Sequence, residues 1–497
     1  MATAWGQADW PQHSSDYAST GFSKLSEITP KNISNLHQLC AYALPDETTF
    51  ESSLVEVNRT LYFTSSEYTY AIDAASCALK WRVRHEMKSP GGTVRGVAFA
   101  NGRVYRGFSD GQVIAYDARN GEQVWSAQLK ETNGMPATIA ASPLVWNGML
   151  FIGTSGAERA CGCVIAGLDA ATGRVVWTFA VVPGANTPGA ESWPAGAHVG
   201  GGSVWTSLTI DPDSGALYVP TGNPGPDFSG AYRQGANLYT GSIVVLDAKK
   251  GSLRTWYQLV PHDIHDWDQA AAPALITTKA GQRRAMAAGK DGFLHAIDIT
   301  AGKVAWKTPV TTIKNADAPL TPEGTHFCPG PGGGVLWNGP AYSPALNLVY
   351  VNSMDWCSTL KLDPRPPAFE EGKMFLGSAN GFGDNDADKF GWVTAVDADT
   401  GVVRWRNRMT TPMVAGIAVT ASGLVMTADL NGDFVAFDAA SGKLVHRVAT
   451  GQPGGGGVIT YQTGGKQKVA MAAGLEDRII GSHGKASVIV LGLPDAK

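Results

Sequence analysis

The sequence predicts an all-β chain folded as an eight-bladed β-propeller whose blades are joined by docking tryptophans. Three observations predict it. A turn-and-tryptophan pattern recurs along the 497 residues, the chain holds 60 Gly and 15 Trp with only 16% charged residues, and the stretches before each turn alternate or run apolar over strand lengths. Many short strands joined by tight turns give that composition, and helical bundles do not.

The repeat reads as a small or apolar residue, an apolar one, Asp, a polar turn with Gly four residues after the Asp, and Trp about eight after it. In chain order the copies are Ala71-Ile-Asp73 to Trp81 (with Cys77 in place of Gly), Ala115-Tyr-Asp117 with Gly121 and Trp125, and Gly167-Leu-Asp169 with Gly173 and Trp177. They continue as Val245-Leu-Asp247 with Gly251 and Trp256, Ala296-Ile-Asp298 with Gly302 and Trp306, and Ala395-Val-Asp397 with Gly401 and Trp405. The last copy, Ala436-Phe-Asp438 with Gly442, ends in His446. Asp followed by small residues and Gly is hairpin chemistry, because a turn needs a side-chain acceptor and a positive φ. Each Trp is expected to pack between neighbouring sheets.

Strands such as Val104-Tyr-Arg-Gly-Phe108 and Leu150-Phe-Ile-Gly153 precede the turns. The interval from Asp298 to Asp397 is about twice the usual one, and Leu348-Val-Tyr-Val351 inside it reads as a strand of a degenerate blade, the eighth. Segment 28–44 is expected to pair with the carboxy-terminal strand at 488–491 and close the ring, leaving few open edges. The Gly runs at 200–202, 332–334 and 454–457 are too short for linkers, so residues 1–497 are expected to form one propeller domain.

A net charge near −4 gives no footprint for nucleic acid, and no apolar run reaches membrane-spanning length. Six cysteines, an even number, fit an oxidising compartment. No Cys-x-x-Cys-His occurs, so a covalently attached c-type haem is not encoded here. The start, Met1-Ala-Thr-Ala-Trp5, has neither a charged n-region nor an apolar h-region and reads as a mature protein restarted at an initiating Met.

Chemistry concentrates in Pro261-His-Asp-Ile-His-Asp-Trp-Asp268, three carboxylates and two imidazoles in eight residues between predicted strands, with Lys290 following. Such a cluster beside a cation suggests a metal, a proton acceptor, or both, although alone it also fits a capped, solvated turn.

A ring of this kind with this Trp repeat resembles the quinoprotein alcohol dehydrogenases, which use pyrroloquinoline quinone (PQQ). The likeness opens at Asp9-Trp-Pro-Gln-His-Ser-Ser-Asp-Tyr17 and Ile28-Thr-Pro-Lys-Asn-Ile33 and covers nearly the whole chain. In Ser155-Gly-Ala-Glu158 it implies cofactor contacts from Ser155, Gly156 and Ala157 and a metal ligand in Glu158. In Gly201-Gly-Ser-Val-Trp205 it implies an indole floor beneath the quinone, the broadest flat apolar face available. Thr221-Gly-Asn223 matches a segment whose amide oxygen is a second metal ligand. Glu51, Arg95 and Asn352 stand where the family contacts PQQ, and Arg95 would pair bidentately with a cofactor carboxylate.

The resemblance makes Asp266 both a metal ligand and the general base, and Lys290 the cation that steadies charge on the quinone oxygen. It implies oxidation of an alcohol to an aldehyde or ketone, with the metal acting as a Lewis acid and hydride passing to C5 of PQQ. Electrons would go on to a cytochrome c in the periplasm. Asp263 is expected to hold the loop. Asp268 adds the carboxylate seen in the lanthanide-using branch, but carboxylates plus an amide also suit Ca²⁺, which is the ion expected.

Departures from the family pattern matter too. The vicinal cysteine pair is missing near Arg95, and Cys161-Gly-Cys163 lies past Glu158, as a small bridge or as free thiols. Ala140 replaces an expected Thr, and a Trp near Pro412-Met-Val-Ala-Gly416 is absent. Small residues near Ala415 suggest a pocket for bulky or secondary alcohols, including polymers such as polyvinyl alcohol. Cys328 with Cys357 resembles a structural bridge of the family, and Cys40 is expected to reach Cys77 from a neighbouring strand. The competing reading is a non-catalytic propeller serving as a binding scaffold.

Overall fold

In the computed structural model, residues 9–45, 49–87 and 92–494 are described; the amino-terminal residues read for a leader lie outside them. Among the described residues, eight sheets built on four antiparallel strands follow one another along the chain. The first runs Val55–Val57, Thr60–Thr64, Tyr68–Asp73 and Leu79–Arg84. The next six span 98–128, 144–180, 209–258, 274–309, 341–409 and 418–449, the last gaining Phe22–Ser23 as a parallel edge. The eighth joins both ends of the chain: Gly454–Thr463, Lys466–Ala473 and Ser487–Gly492 are completed by His37–Ala43, antiparallel to Ser487–Gly492.

The repeat explains each sheet locally. Asp169 accepts from the backbone N–H groups of Ala171 and Thr172 at 3.0 and 2.9 Å, which bends the third strand into the fourth. Third strands are buried on both faces, whereas outer strands such as Gln123–Gln128 bury only the Trp position fully. The indoles then cross to the next sheet. Trp81, Trp125, Trp177 and Trp405 donate from Nε1 to the carbonyls of Ala118, Ala170, Ala248 and Ala439 at 3.0–3.1 Å, and Trp306 to that of Asp399 at 3.2 Å. The Gly of the next turn lies against the ring: a Cβ on Gly173, at φ +77, would stand 2.5 Å from the Trp125 indole. His446 acts as a Trp would, its Nε2 lying 3.1 Å from the Leu36 carbonyl beside the eighth sheet. Eighth and first sheets are tied by Tyr461, which donates to the Ala74 carbonyl at 2.7 Å, and by the Cys40–Cys77 bridge.

Two sequence expectations are corrected. Trp256 does not dock. It comes nine residues after Asp247, and pairs with Val244 where the other copies place their Trp opposite the residue two before the Asp. One residue of slip turns a strand side chain to the other face. Trp256 is therefore 41% exposed and edge-on to Tyr239 at 5.2 Å, and apolar packing around Tyr218, Ile243 and Leu275 makes that joint instead. Nor does Leu348-Val-Tyr-Val351 belong to a blade of its own. It lies in Leu348–Asp355, a strand of the same sheet as Asp397. The long interval is filled by an added three-stranded sheet, Thr325–Phe327, Ser358–Leu360 and Asp384–Asn385, and the eighth sheet is the one that joins the termini.

Candidate active site

Turns of several sheets meet around a cavity of about 460 Å³. The loop after Leu253–Gln258 supplies the acidic wall. Asp263 accepts from the backbone N–H groups of His265 and Trp267 at 2.9 and 2.8 Å, the holding role expected of it. His265 stacks on Trp267 at 4.2 Å, and Trp267 donates to the Pro329 carbonyl at 3.0 Å. So fixed, the chain carries Asp266 at φ +62, a conformation that costs a non-glycine residue about 1–3 kcal/mol and concentrates at functional sites. Lys290, just before Phe293–Asp298, reaches Asp266 at 3.1 Å and Asp268 at 2.9 Å.

Burial pushes Asp266 well above the ordinary carboxylate range; Lys290 opposes the shift, and Asp268 and Glu158 add to it. For Lys290, burial alone would lower the pKa, but Asp266 and Asp268 together outweigh it and raise it.

Glu158 sits in the short turn Ala157–Arg159, past Met149–Gly153. Ser203 Oγ accepts from the N–H groups of Gly156 and Ala157 at 2.9 and 2.8 Å, and the bridge between Cys161 and Cys163 closes the far side. Asn223 belongs to the turn after Ala216–Pro220, and its N–H donates to Asp268 Oδ1 at 2.7 Å. Gly222 is obligatory there, because a Cβ would collide with that same oxygen. On the opposite wall Arg95 pairs with Glu51, both nearly fully buried, and its guanidinium lies between the indoles of Trp205 and Trp337 at 4.6 and 4.5 Å. Burial raises Glu51 and lowers Arg95, and in each the partner's charge opposes the shift.

Of the residues expected from sequence, Glu51, Arg95, Ser155, Gly156, Glu158, Trp205, Asp266, Asp268 and Lys290 line this one cavity. Three expected residues do not line it. Asn352 lies two residues back along its strand from Met354, which does, and its NH2 donates to the Ala415 carbonyl and Thr427 at 2.9 and 2.7 Å. Ala157 is wholly buried and contributes only its N–H to Ser203. Asn223 is 1% exposed behind the lining, yet its Oδ1 has no hydrogen-bond partner. Ala415 is fully buried outside the lining, so it does not enlarge the cavity.

The sequence reading missed Trp337 and Trp356, which line the cavity, and Asp227, a wholly buried carboxylate. Burial raises Asp227 well above its usual range, and the charges of Asp266 and Glu158 add to that. Its signal was available as an acid four residues after Asn223. The cysteines form three bridges, Cys40–Cys77, Cys161–Cys163 and Cys328–Cys357, which settles Cys161 and Cys163 as a pair.

The donor set suits a hard cation. Asn223 Oδ1, Asp266 Oδ1 and both Asp227 oxygens are buried without partners, and carboxylates with an amide oxygen are what such ions take. Trp205, Trp337 and the unpartnered Nε of Arg95 suit a flat, anionic ring.

A family model described as the PQQ-containing β-propeller domain of glucose, ethanol and alcohol dehydrogenases matches residues 10–319. The quinohemoprotein alcohol dehydrogenase of Comamonas testosteroni is 30% identical, over 95% of this chain and 73% of its own. The chain belongs to the PQQ-dependent alcohol dehydrogenases. It is an all-β oxidoreductase of that family, with the family's β-propeller domain. The solved Comamonas structure superposes with a TM-score of 0.88 at 27% identity, covering 100% of this chain and 82% of that one. The lanthanide-dependent methanol dehydrogenase of Methylacidiphilum fumariolicum (strain SolV) is 26% identical over 94% of this chain and 84% of its own. Residues 389–473 also match a model for the outer membrane protein assembly factor BamB. That match covers the repeat and none of the acidic loop, so the scaffold reading gives way to the enzyme.

Proposed function

We propose that residues 1–497 form one closed ring of eight blades, and that the cavity oxidises an alcohol to an aldehyde or ketone using PQQ and a hard cation, calcium or a lanthanide. The observation that carries the reading is the convergence of Asp266, Lys290 and Trp205 on one cavity. Glu158, Asn223 and Asp266, with Asp268 alongside, would hold the cation; Trp205 would lie under the quinone, bordered by Ser155 and Gly156, and Arg95 backed by Glu51 would meet a cofactor carboxylate. Bound there, the quinone supplies the hydride acceptor and the cation a polarising charge.

Asp266 is the base. Burial gives it proton affinity, and Lys290 at 3.1 Å keeps the ionised form accessible, so it takes the hydroxyl proton as the carbonyl forms. Lys290 donates to the oxygen on which negative charge grows. Trp205, Trp337 and Trp356 wall the cavity with apolar faces that would limit water at the reacting centre. The electrons would pass on to a cytochrome c in this reading. Three disulfide bridges support an oxidising compartment, the periplasm. Among the described residues no helix is long and apolar enough to cross a membrane.

Small lining residues, Gly92, Ser109 and Gly332, leave space for a bulky or secondary alcohol, small or polymeric. The test is reconstitution of the purified protein with PQQ and either Ca²⁺ or La³⁺, followed by dye reduction across a series of alcohols. Turnover of bulky secondary alcohols above methanol is expected. No turnover of any alcohol defeats the enzyme assignment of the cavity, and a preference for methanol defeats the substrate assignment.

A further inference from the structure

Asp227 is wholly buried, and neither of its carboxylate oxygens has a hydrogen-bond partner. Its turn, 221–227, is wedged between the two acidic loops. Gly222 backs onto Asp268 Oδ1, and a Cβ on Gly225 would lie 3.1 Å from the Ala157 carbonyl, next to Glu158. The nearby Arg233 does not satisfy the carboxylate. Its hydrogen bonds go to the backbone carbonyls of Pro226, Asp227 and Asp263 and to the side chain of Asn237. Asp268 is the opposite case: one oxygen accepts from the Asn223 N–H at 2.7 Å and the other meets Lys290 at 2.9 Å. A buried carboxylate left charged and unpaired is strongly unfavourable, so these oxygens take either a proton or a positive partner.

We infer that Asp227 is a ligand of the same cation as Glu158, Asn223 and Asp266, in the place expected of Asp268. Asp268 is then the anchor of Lys290. The inference rests on the cation site proposed above. It gives the ion three carboxylates, Glu158, Asp227 and Asp266, of which Lys290 offsets only Asp266, and this favours a trivalent over a divalent ion, because ligand charge sets affinity.

The test is titration of the metal-free protein with Tb³⁺, read by indole-sensitised emission, with Ca²⁺ measured by competition. Asp227→Asn is expected to weaken Tb³⁺ by at least about tenfold, to weaken Ca²⁺ less, and to add a bound water in Eu³⁺ lifetimes compared in H₂O and D₂O. Asp227→Glu should keep the preference for Tb³⁺, and Asp268→Asn should weaken Tb³⁺ less than Asp227→Asn does. In chelator, Asp227→Asn should melt at or above the wild-type temperature, since it removes an unpaired charge. Tb³⁺ binding by Asp227→Asn equal to wild type overturns the inference, and so does failure of that variant to fold without metal. Glu158→Gln separates the two levels. If it alone weakens Tb³⁺, only the Asp227 assignment fails; if neither variant weakens it, the cation site itself fails.

Discussion

Lys290 holds its ammonium 3.1 Å from the carboxylate of Asp266, in a cavity where burial pushes that carboxylate well above the ordinary carboxylate range. The pair sets the pH at which the base works. Lys290→Met removes the opposing charge, so Asp266 binds its proton more tightly and ionises only at higher pH. The acid limb of the kcat profile should move to higher pH, and kcat at the optimum should fall by about 10²–10³-fold. A pH–rate series on the reconstituted enzyme checks this; a lower kcat with an unmoved limb would contradict it.

Arg95 meets its partners as a plane, between two indoles and against Glu51. Lysine keeps the charge but not the fork or the stacking surface. Arg95→Lys should weaken PQQ binding by about tenfold or more while the fold persists. Fluorescence quenching on PQQ titration measures it, and unchanged affinity would remove Arg95 from the cofactor contact.

The docking repeat predicts a stability effect far from the chemistry. Gly173 has φ +77 and lies against Trp125. Gly173→Ala brings both backbone strain and a clash, a cost of about 1–3 kcal/mol. Gly302 also has positive φ but meets nothing within 4 Å, because Trp256 has turned away. Gly302→Ala should therefore cost less than Gly173→Ala in thermal or denaturant melts.

Glu56 predicts a pH dependence of stability. One carboxylate oxygen accepts from the Arg59 N–H at 2.8 Å, the other has no partner, and burial, helped by the charge of Asp9, pushes its pKa from 4.5 up to about 8. The folded state thus holds a proton that the unfolded chain releases near pH 4.5, and the associated stability is full below that pH and lost as pH rises through about 8. Glu56→Gln mimics the protonated form. Its advantage over wild type should grow from near zero at low pH to on the order of 5 kcal/mol above the folded pKa. Melts at several pH values test this, and a constant difference would contradict it.

The turn chemistry of the fold was legible in sequence because it is local: Asp, Gly and Trp at fixed spacing determine one hairpin and one joint. Trp256 defeated that reading by a single residue, since spacing of nine rather than eight reverses the face. The eighth sheet was sought in the long 298–397 interval because an inserted sheet and a missing repeat look alike in sequence. At the site, the acidic loop and Lys290 were legible as a cluster. Asn352 was misplaced because order along a strand does not say how far along it the cavity lies. Asp227 and Trp337 escaped because each is a lone residue whose role depends on loops from other sheets.

The most direct test of the central claim is the behaviour of Asp266→Asn after reconstitution with PQQ and the cation. A single-turnover measurement of quinone reduction by alcohol, with cofactor occupancy fixed by absorbance, separates binding from chemistry. Retained PQQ with the rate of alcohol-dependent reduction lowered about 10²–10⁴-fold is predicted; retained PQQ reduced at the wild-type rate would contradict it.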